Sequence, residues 1–518
     1  MDLLKRTSFL NVLGIITFSF ILITCSRGKA AVVSEDVNEK GDEKIEVVIM
    51  QVNDVYEISP LEGGKAGGLA RVERLHQELL EKNNNTLLVH GGDFLNPSLM
   101  GTLKQNGERV KGKQMIEMMN YMSFDLVAFG NHEFDLDYED LQKRLNESTF
   151  QWIGTNILHV DGDEKRPFYT EKQGEKELIP PTYIFNLTDE DGTTFNLGFI
   201  SATINSNPKD YVQYRDPYES AKIAYSQVLP KSDLVLGLTH LKLSQDKLLS
   251  GTLPEIPLMI GGHEHENMNI TVGTSRITKA DANAKSVYLH YINHDKKTKV
   301  TTIDSKLIII DDSREEDEGA AKIAKKWADF QSEQLGEVVE NPDEVIFHSE
   351  VKLDGRDKPI RSTQTNLGMI IAESMAKAYN VDAAFVNGGS IRFDDQLEGD
   401  ITGIDIFRAL PYGGAVLKLK IKGDLLSKVL QEGKLRSGTG GYLQRYNFTK
   451  NDGWEIKGEK IDSVKIYEIA ISDYLILGRD IPILKESNPG ILEVYRPEKG
   501  ELTEDIRRVV IEFLKGRE

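Results

Sequence analysis

Apolar runs of strand length recur through the first half of this chain, and each ends at a residue that can bind a metal ion. The clearest case spans residues 126–129, which are followed by Gly130 and then by Asn131, His132 and Asp135. A short apolar run that ends in glycine is typical of a buried strand. Strands of this kind fold into a layered α/β structure, in which loops at the carboxyl edge of the sheet carry the polar side chains.

Four further runs have the same arrangement. Residues 47–52 precede Asp54, residues 86–90 precede Asp93, residues 233–239 precede His240, and residues 256–260 precede His263 and His265. One histidine after a strand is usually structural, whereas a whole series of strand ends that carry potential ligands is difficult to attribute to chance. Carboxylate, amide and imidazole groups together suit a pair of metal ions. The series therefore predicts a two-metal phosphoesterase centre.

The order of these residues indicates separate roles. Asp93 lies in the middle of the series and is the predicted bridging ligand, because Gly91 and Gly92 let the backbone turn tightly. His132 together with Asp135 can transfer protons or stabilise developing charge. Taken alone, this last motif is also compatible with a helix cap and a surface histidine.

These motifs resemble those of the calcineurin-like metallophosphoesterases, specifically the 5′-nucleotidase and UDP-sugar hydrolase family. The resembling segments are Asn53-Asp54-Val55-Tyr56, Gly92-Asp93, Gly130-Asn131-His132-Glu133-Phe134-Asp135, Thr239-His240 and Gly262-His263-Glu264-His265. Their order and approximate spacing match across residues 45–310. The resemblance implies His132 and Asp135 as the catalytic pair. It also implies two divalent metal ions (Zn, Mn, Mg or Co) bound by Asp54, Asp93, Asn131, His240, His263 and His265.

One position departs from the family pattern. Most members have Asp-x-His in the first motif, where the histidine binds the first metal ion, whereas this chain has Tyr56 there. A neutral phenol is a poor ligand for divalent ions, although a phenolate can bind trivalent iron. Two hypotheses follow: either the first site lacks one protein ligand and water takes its place, or Tyr56 binds an unusual metal. The identity of the metals stays open for this reason.

The second half of the chain resembles the 5′-nucleotidase C-terminal domain. The resembling segments are residues 356–361, residues 364–368 and Asn387-Gly388-Gly389-Ser390-Ile391-Arg392. The resemblance implies that Arg356, Arg361 and Arg392 hold substrate phosphate or carboxylate through forked hydrogen bonds, with Asn387 in the same substrate site. A solvated surface side chain is the alternative for any single arginine, and most of all for Arg356.

Two tyrosines and an aspartate complete the expected recognition site. Pro411-Tyr412-Gly413-Gly414 and Ser472-Asp473-Tyr474 resemble the family's two aromatic segments, whose rings stack on both sides of a nucleobase. Asp480 resembles the family's ribose-binding acid, although the glycines that flank that acid are missing here. On composition alone, the two tyrosines would be assigned to the core.

The amino terminus predicts export. Lys5 and Arg6 precede an apolar run over residues 9–23, which is too short for a membrane span and suits a signal peptide. Cys25, the single cysteine, stands where a bacterial lipobox cysteine would receive diacylglycerol. An ordinary cleaved signal and an incidental cysteine in a signal anchor are the alternatives. We therefore expect a lipoprotein of the bacterial cell envelope, on its periplasmic or surface face.

The net charge of −19 limits the partners that the chain can bind. A strongly acidic protein repels nucleic acid polymers and anionic lipid surfaces. A small anionic substrate is compatible with this charge where arginines and metal ions reverse the field locally. The family resemblance implies a small nucleotide as the partner, and the expected contact with a membrane is only through lipid on Cys25.

The length of 518 residues predicts more than one domain, because a single hydrophobic core seldom holds so long a chain. A charged run near residue 315 marks the end of the metal-binding half. The expected segments are a signal peptide over 1–24, a flexible tether over 25–44, a four-layer α/β sandwich over 45–315, an interdomain helix over 316–340 and a smaller α/β substrate-binding domain over 341–518.

The resemblance implies hydrolysis of nucleoside 5′-monophosphates to nucleoside and phosphate by metal-activated water, without a covalent enzyme intermediate. Two alternatives remain open. The same residues could hydrolyse 2′,3′-cyclic nucleotides or UDP-sugars. In the other alternative, the chain is a non-catalytic nucleotide-binding lipoprotein, and Tyr56 marks a decayed metal site.

Overall fold

The described residues begin just before the first predicted strand. A computed structural model describes residues 42–206, 208–336, 339–393 and 395–517. The expected signal peptide, Cys25 and nearly all of the expected tether lie outside the described residues. Among the described residues, no helix combines the length and the apolar character that crossing a membrane requires.

The apolar runs of the first half build two six-stranded sheets. Across the first sheet the order is Val300–Ile309, Ser286–Asp295, Lys44–Val52, Thr86–His90, Leu126–Ala128 and Gln151–Ile153, and the last four strands are parallel. Across the second sheet the order is Thr182–Thr188, Thr194–Thr203, Leu234–His240, Leu258–Gly261, Ser275–Lys279 and Met268–Val272, and the four central strands are parallel. The predicted metal-site strands are therefore confirmed, with ends shifted by a few residues.

The two sheets pack face to face, and helices cover their outer faces. Ile49, Val89 and Ala128 of the first sheet pack against Phe199 and Leu238 of the second in one buried cluster. The helices on the outer face of the first sheet are Leu69–Leu80, Lys113–Tyr121, Tyr138–Glu147 and Glu318–Gly336. Those on the outer face of the second are Pro217–Val228 and Leu243–Thr252. This arrangement is the four-layer α/β sandwich that the sequence predicts.

Short elements fill the connections of the sandwich. In two small sheets, Lys104–Gln105 pairs with Glu108–Arg109, and Tyr169–Lys172 pairs with Glu175–Leu178. In a third, the central strand Ile157–Asp161 pairs with Val212–Tyr214 on one side and Glu164–Arg166 on the other. The helix Leu99–Thr102 and the 3-10 turns His132–Asp135, Leu229–Lys231 and Ala282–Ala284 complete this part. The turn His132–Asp135 follows the strand Leu126–Ala128 directly and fixes the predicted catalytic pair at the sheet edge.

The second half forms a smaller α/β structure. Its five-stranded sheet has the order Leu443–Tyr446, Ala383–Asn387, Ile466–Ser472, Val416–Lys422 and Ile491–Tyr495. Helices Asp357–Ser362, Asn366–Ala378, Gly403–Ala409 and Ile506–Lys515 share a buried cluster, whereas Gly423–Leu435 packs in another. The remaining elements are the paired strands Val345–Asp354 and Gln396–Thr402, the strands Phe448–Lys450, Trp454–Ile456 and Glu459–Lys460, and the 3-10 turns Gly388–Ser390, Asp473–Ile476 and Leu502–Glu504.

The helix Glu318–Gly336 contacts the cores of both halves. Ala324 and Trp327 are buried in the core on the outer face of the first sheet. Leu335 is buried in the cluster that the four helices of the second half share. The Trp327 indole N–H donates to Glu117 at 3.0 Å. The buried stripe of this helix includes these three positions, whereas Ala328 is exposed. The stripe is narrow because only the side facing the sandwich is covered.

Candidate metal centre and substrate cleft

The predicted ligands meet because their strands end at one edge of the sandwich. Hydrogen bonds join the loops there: Gly91 N donates to Val52 O at 2.8 Å, and Asp54 N donates to Gly92 O at 3.0 Å. On the second sheet, Gly262 N donates to Thr239 O at 3.0 Å. These bonds link the loops after neighbouring parallel strands and bring their side chains to a common point.

The side chains at this edge form a tight cluster. His240 Nε2 lies 3.0 Å from Asp93 Oδ2 and 3.9 Å from Asp54 Oδ1, and His265 Nε2 lies 3.3 Å from Asp54 Oδ1. Ligand atoms of Asp93, His240 and His263 all lie within 4.8 Å of one another. Asn131 is buried and lines the cleft beside them. The structure thus brings together the six side chains that were predicted to bind metal.

The chemistry of this cluster fits a metal ion. His240 Nδ1 lies 2.8 Å from the carbonyl oxygen of Gly91 and therefore carries a proton, so Nε2 faces the carboxylates and can bind either a second proton or a metal ion. His240 Nε2 and Asp54 Oδ1 are both buried and make no hydrogen bond. Lone pairs that approach this closely repel one another unless a positive charge lies between them. The arrangement is therefore that of ligands around a cation.

The electrostatics of the ligands agree with this geometry. Burial disfavours the charged form of His240, but the charges of Asp93 and Asp54 outweigh it and raise the pKa of His240 to about 10. Burial likewise opposes ionisation of Asp54, yet His240 and His265 lower the pKa of that carboxyl to about 2. The cluster therefore attracts positive charge, which a proton or a metal ion can supply.

Four of the ligands have a backbone conformation that non-glycine residues seldom adopt. The φ angles of Asp54, Asp93, His263 and His265 are 54°, 64°, 89° and 61°. Such conformations cost on the order of 1–3 kcal/mol each and persist where the surrounding structure holds them. The same edge is too crowded for side chains on two glycines: a Cβ on Gly130 would lie 2.1 Å from Asp93 Oδ1, and one on Gly92 would lie 2.4 Å from Gly130 N.

Glu133 holds two of these loops together, a role that the sequence did not reveal. Its buried carboxylate accepts backbone hydrogen bonds from Gly130 N at 2.7 Å, Phe94 N at 2.8 Å and Asp93 N at 3.0 Å. Burial, and then the charge of Asp93, raise the pKa of Glu133 to about 7. Glu133 belongs to the motif around His132, but only the fold shows that it contacts the loop of the predicted bridging ligand.

Tyr56, the residue that departs from the family pattern, lies within this cluster. Its hydroxyl is 3.2 Å from His265 Nε2 and 3.4 Å from Asp93 Oδ2. Burial, followed by the charges of Asp93 and Asp54, raises the pKa of the phenol well above its ordinary value. Tyr56 therefore places a neutral hydroxyl, rather than a strong ligand, beside the first predicted metal site.

Replacing Tyr56 separates the two hypotheses for this position. If the first site lacks one ligand, Tyr56→His should tighten metal binding, and Tyr56→Phe should leave it close to that of the wild type. If Tyr56 binds trivalent iron, the purified protein should be coloured by phenolate-to-iron charge transfer, and both variants should bleach it. Metal analysis, calorimetric metal titration and the visible spectrum measure these outcomes. Equal metal content, affinity and spectrum in all three proteins would contradict both hypotheses.

The predicted catalytic pair is assembled beside the metal ligands. His132 Nδ1 lies 2.7 Å from Asp135 Oδ2, and the backbone N–H of His132 donates to Asp93 Oδ1 at 2.7 Å. Asn96 also donates to Asp135 Oδ2 at 2.7 Å. Burial acts to lower the pKa of His132, but the charge of Asp93 and the contact with Asp135 raise it. Asp135 therefore orients the imidazole and favours its protonated form.

A cleft of about 1530 Å³ joins this edge to the second half of the chain. Asp54 and His240 lie beneath it and are fully buried. The predicted site residues that line it are Asp93, Asn131, His132, Asp135, His263, His265, Arg356, Arg361, Arg392 and Tyr412, together with Tyr56. Predicted metal ligands and the predicted substrate arginines therefore share one cavity.

The three arginines differ in their surroundings. Arg356 makes a forked pair with Asp354, at 3.0 and 2.9 Å, and Arg361 pairs with Asp357 at 2.7 Å. Arg392 lies between the halves: burial disfavours its charge, but Tyr412, Asp357, Asp135 and Tyr56 raise its pKa. The charge of Arg392 acts on both members of the predicted catalytic pair, whereas Arg356 has a local carboxylate partner.

The predicted ribose and base contacts form a second group. Asn387 donates to Asp480 Oδ2 at 3.0 Å, and burial followed by the charge of Asp480 raises the pKa of Tyr474. These three residues, all within the described part of the chain, are not among those that line the cleft. Tyr412 lines the cleft and is 57% exposed. The structure thus places the two tyrosines in different groups, and the sandwich around a base stays a prediction.

Each half of the chain matches a known protein family. Residues 47–267 match the family described as calcineurin-like phosphoesterase, and residues 345–486 match the 5′-nucleotidase C-terminal domain. The trifunctional nucleotide phosphoesterase protein YfkN of Bacillus subtilis is 26% identical over 76% of this chain, which spans only 29% of that protein. The 5′-nucleotidase of Bos taurus is 24% identical over 84% of this chain and 83% of its own length.

A solved structure has the same fold. The 5′-nucleotidase precursor from Thermus thermophilus superposes with a TM-score of 0.68, covering 91% of this chain and 96% of that one, at 21% sequence identity. The agreement extends over both halves of the chain and the segment between them.

Proposed function

We propose that this chain, a member of the 5′-nucleotidase family of calcineurin-like phosphoesterases, is a metal-dependent hydrolase that acts on nucleoside 5′-monophosphates. The observation that supports this most directly is the shared cleft. One cavity contains the metal ligands, the pair of His132 and Asp135, and the guanidinium of Arg392. The products would be a nucleoside and phosphate.

The domain boundaries that we propose follow the sequence prediction. A phosphoesterase domain would span residues 45–315, an interdomain helix residues 316–340, and a substrate-binding domain residues 341–518. The separate buried clusters of the two halves support this division. The helix Glu318–Gly336, which packs on both, is consistent with the assignment of the linker.

The mechanism that we propose assigns distinct tasks to the ligands and to the catalytic pair. Divalent metal ions would supply a water of lowered pKa and neutralise phosphoryl charge. The residues that would hold them are Asp54, Asp93, Asn131, His240, His263 and His265. His132, oriented by Asp135, would stabilise the charge that develops on the phosphoryl oxygens and help to protonate the leaving oxygen. Arg392 would hold the substrate from the opposite side of the cleft.

Tyr412, Tyr474, Asn387 and Asp480 would bind the nucleoside. Tyr412 lines the cleft, whereas the other three form a group next to it, so a base held between the two rings requires the groups to approach each other. Arg361 would bind phosphate or carboxylate, and Arg356 would support that site through its pair with Asp354. Closure of the two halves on the substrate would also exclude water from the reaction.

Removing the His132 imidazole tests the proposed catalytic role. We expect His132→Ala to lower kcat by about 10²–10⁴, the range for a general acid–base group, and to change KM much less. The reason is that the imidazole acts on charge that appears only in the transition state. His348→Ala is a matched control, because His348 also pairs with a carboxylate, that of Asp400, but is exposed and belongs to the second half of the chain. An unchanged kcat in His132→Ala would remove His132 from the mechanism.

Product formation from a substrate panel tests the proposed activity, measured as inorganic phosphate from the 5′-monophosphates and as nucleoside monophosphate from the cyclic nucleotides and UDP-sugars. The panel contains nucleoside 5′-monophosphates, 2′,3′-cyclic nucleotides and UDP-sugars, and bound metal per chain is measured on the same preparation. We expect the highest kcat/KM for a 5′-monophosphate. UDP-sugars are the second candidate, and the cleft of about 1530 Å³ has room for them. Nucleotide binding without hydrolysis in the metal-loaded protein would favour the non-catalytic alternative.

We further propose that the protein is exported and anchored by lipid on Cys25, on the periplasmic or surface face of a bacterial envelope. The support is the sequence of residues 1–25, which lie outside the described residues. Cys25→Ala should release the protein from the membrane fraction and abolish incorporation of labelled fatty acid. Retention of label in this variant would contradict the proposed anchor.

A further inference from the structure

A buried lysine lies directly behind the candidate metal centre. Lys279 ends the strand Ser275–Lys279, and its side chain has no exposure to solvent. Burying an ammonium group is costly unless oxygen atoms surround it. Its Nζ lies 2.6 Å from Leu241 O, 2.7 Å from Gly262 O and 2.7 Å from Asp246 Oδ2, and it also contacts the carboxylate of Glu264.

The two acidic partners of Lys279 extend this network to the metal ligands. Asp246 Oδ1 accepts a hydrogen bond from the Thr239 hydroxyl at 2.7 Å, and Thr239 immediately precedes His240. The other oxygen of Glu264 accepts from the backbone N–H of Leu243, at the start of the helix Leu243–Thr252. Lys279, Asp246 and Glu264, which we call the lysine triad, therefore connect a strand end, a helix start and the loop at residues 262–265.

The loop held by the lysine triad carries two of the four predicted ligands with unfavourable backbone conformations. Glu264 stands between His263 and His265, whose φ angles are 89° and 61°. Lys279 contacts the carbonyl of Gly262 on one side of His263 and the carboxylate of Glu264 on the other. Residues with positive φ persist when their neighbours over-determine them, and these contacts provide that restraint.

We propose that Lys279 is a positioning residue for the metal centre, which it serves through the lysine triad without binding metal itself. Through Asp246 and Thr239 it fixes the strand end that carries His240. Through Glu264 and Gly262 O it fixes the loop that carries His263 and His265. This inference rests on the proposed metal-dependent function, since it concerns the same ligands.

The main test is Lys279→Met, which keeps the length of the side chain but removes its charge. Loss of an outer partner of metal ligands typically lowers metal affinity 10–100-fold. We therefore expect the dissociation constants for Mn²⁺ and Zn²⁺, measured by calorimetric titration of the metal-free protein, to rise by that factor. Lys111→Met is the control for loss of a lysine–carboxylate pair, because Lys111 pairs with Asp140 and, among the described residues, has no recorded hydrogen bond or ion pair to a metal loop.

A spectroscopic measurement separates positioning from general destabilisation. With Co²⁺ at saturating concentration, the visible absorption of the bound ion reports the geometry of its ligands. We expect Lys279→Met to change the band shape even when every site is filled, and Lys111→Met to reproduce the wild-type spectrum. A wild-type spectrum together with wild-type affinity in a folded Lys279→Met protein would overturn the inference.

Two further variants keep the test decisive if Lys279→Met does not fold. Glu264→Gln keeps an oxygen that accepts from Leu243 N–H but loses the ion pair with Lys279. The double variant Lys279→Met with Asp246→Asn also removes the Asp246 charge that Lys279→Met alone would leave unpaired. Lower metal affinity with a native circular dichroism spectrum supports the inference. Failure of all three variants to fold would overturn it and assign the lysine triad to fold stability. If the wild-type protein binds no metal, the proposed function fails first, and that outcome is distinguishable.

Discussion

The structure depends on one electrostatic constraint, which is the convergence of ligand lone pairs at the carboxyl edge of two sheets. Buried His240 Nε2 lies 3.0 Å from Asp93 Oδ2 and 3.9 Å from Asp54 Oδ1, and the contact of Nδ1 with Gly91 O turns Nε2 towards these carboxylates. In a low dielectric this arrangement is unfavourable unless a positive charge occupies its centre. The loops that carry the ligands are correspondingly restrained by Glu133 and Lys279, which together hold segments from both sheets.

The sequence predicts the strand ends of this centre well, for a physical reason. Parallel strands that are buried on both faces appear as continuous apolar runs, and a polar residue directly after such a run must lie at the sheet edge. The strand Thr86–His90 is predicted with its exact bounds, and the runs before Asp54, Asn131 and His240 are also found. The approach of six ligands to one point follows from the parallel order of the strands.

The supporting residues could not be predicted in the same way. Lys279 contacts Asp246 across 33 positions of sequence and Leu241 across 38, so no local pattern connects them. A lysine after two apolar or small residues at a strand end is ordinarily assigned to the surface. Glu133 was visible within a motif, but its partners Asp93 and Phe94 lie some forty residues earlier. For Tyr474 the sequence motif is recognisable, but its distance from Tyr412 could not be predicted. That distance depends on how the groups around the cleft are arranged.

A short loop of the first half, which contains Asn283 and Lys285, contacts both the predicted metal site and the segment that carries Arg392. Asn283 Oδ1 accepts the backbone N–H of Tyr56 at 2.9 Å, and the backbone N–H of Asn283 donates to Asp54 O at 2.8 Å. Two residues further on, Lys285 pairs with Asp395, which is three residues after Arg392. The backbone that carries a predicted metal ligand and the segment that carries Arg392 are therefore attached to the same loop. An acidic chain can thus present a local positive charge beside its predicted metal site, because the segment of Arg392 is tied through Asp395 to the loop that also contacts Asp54.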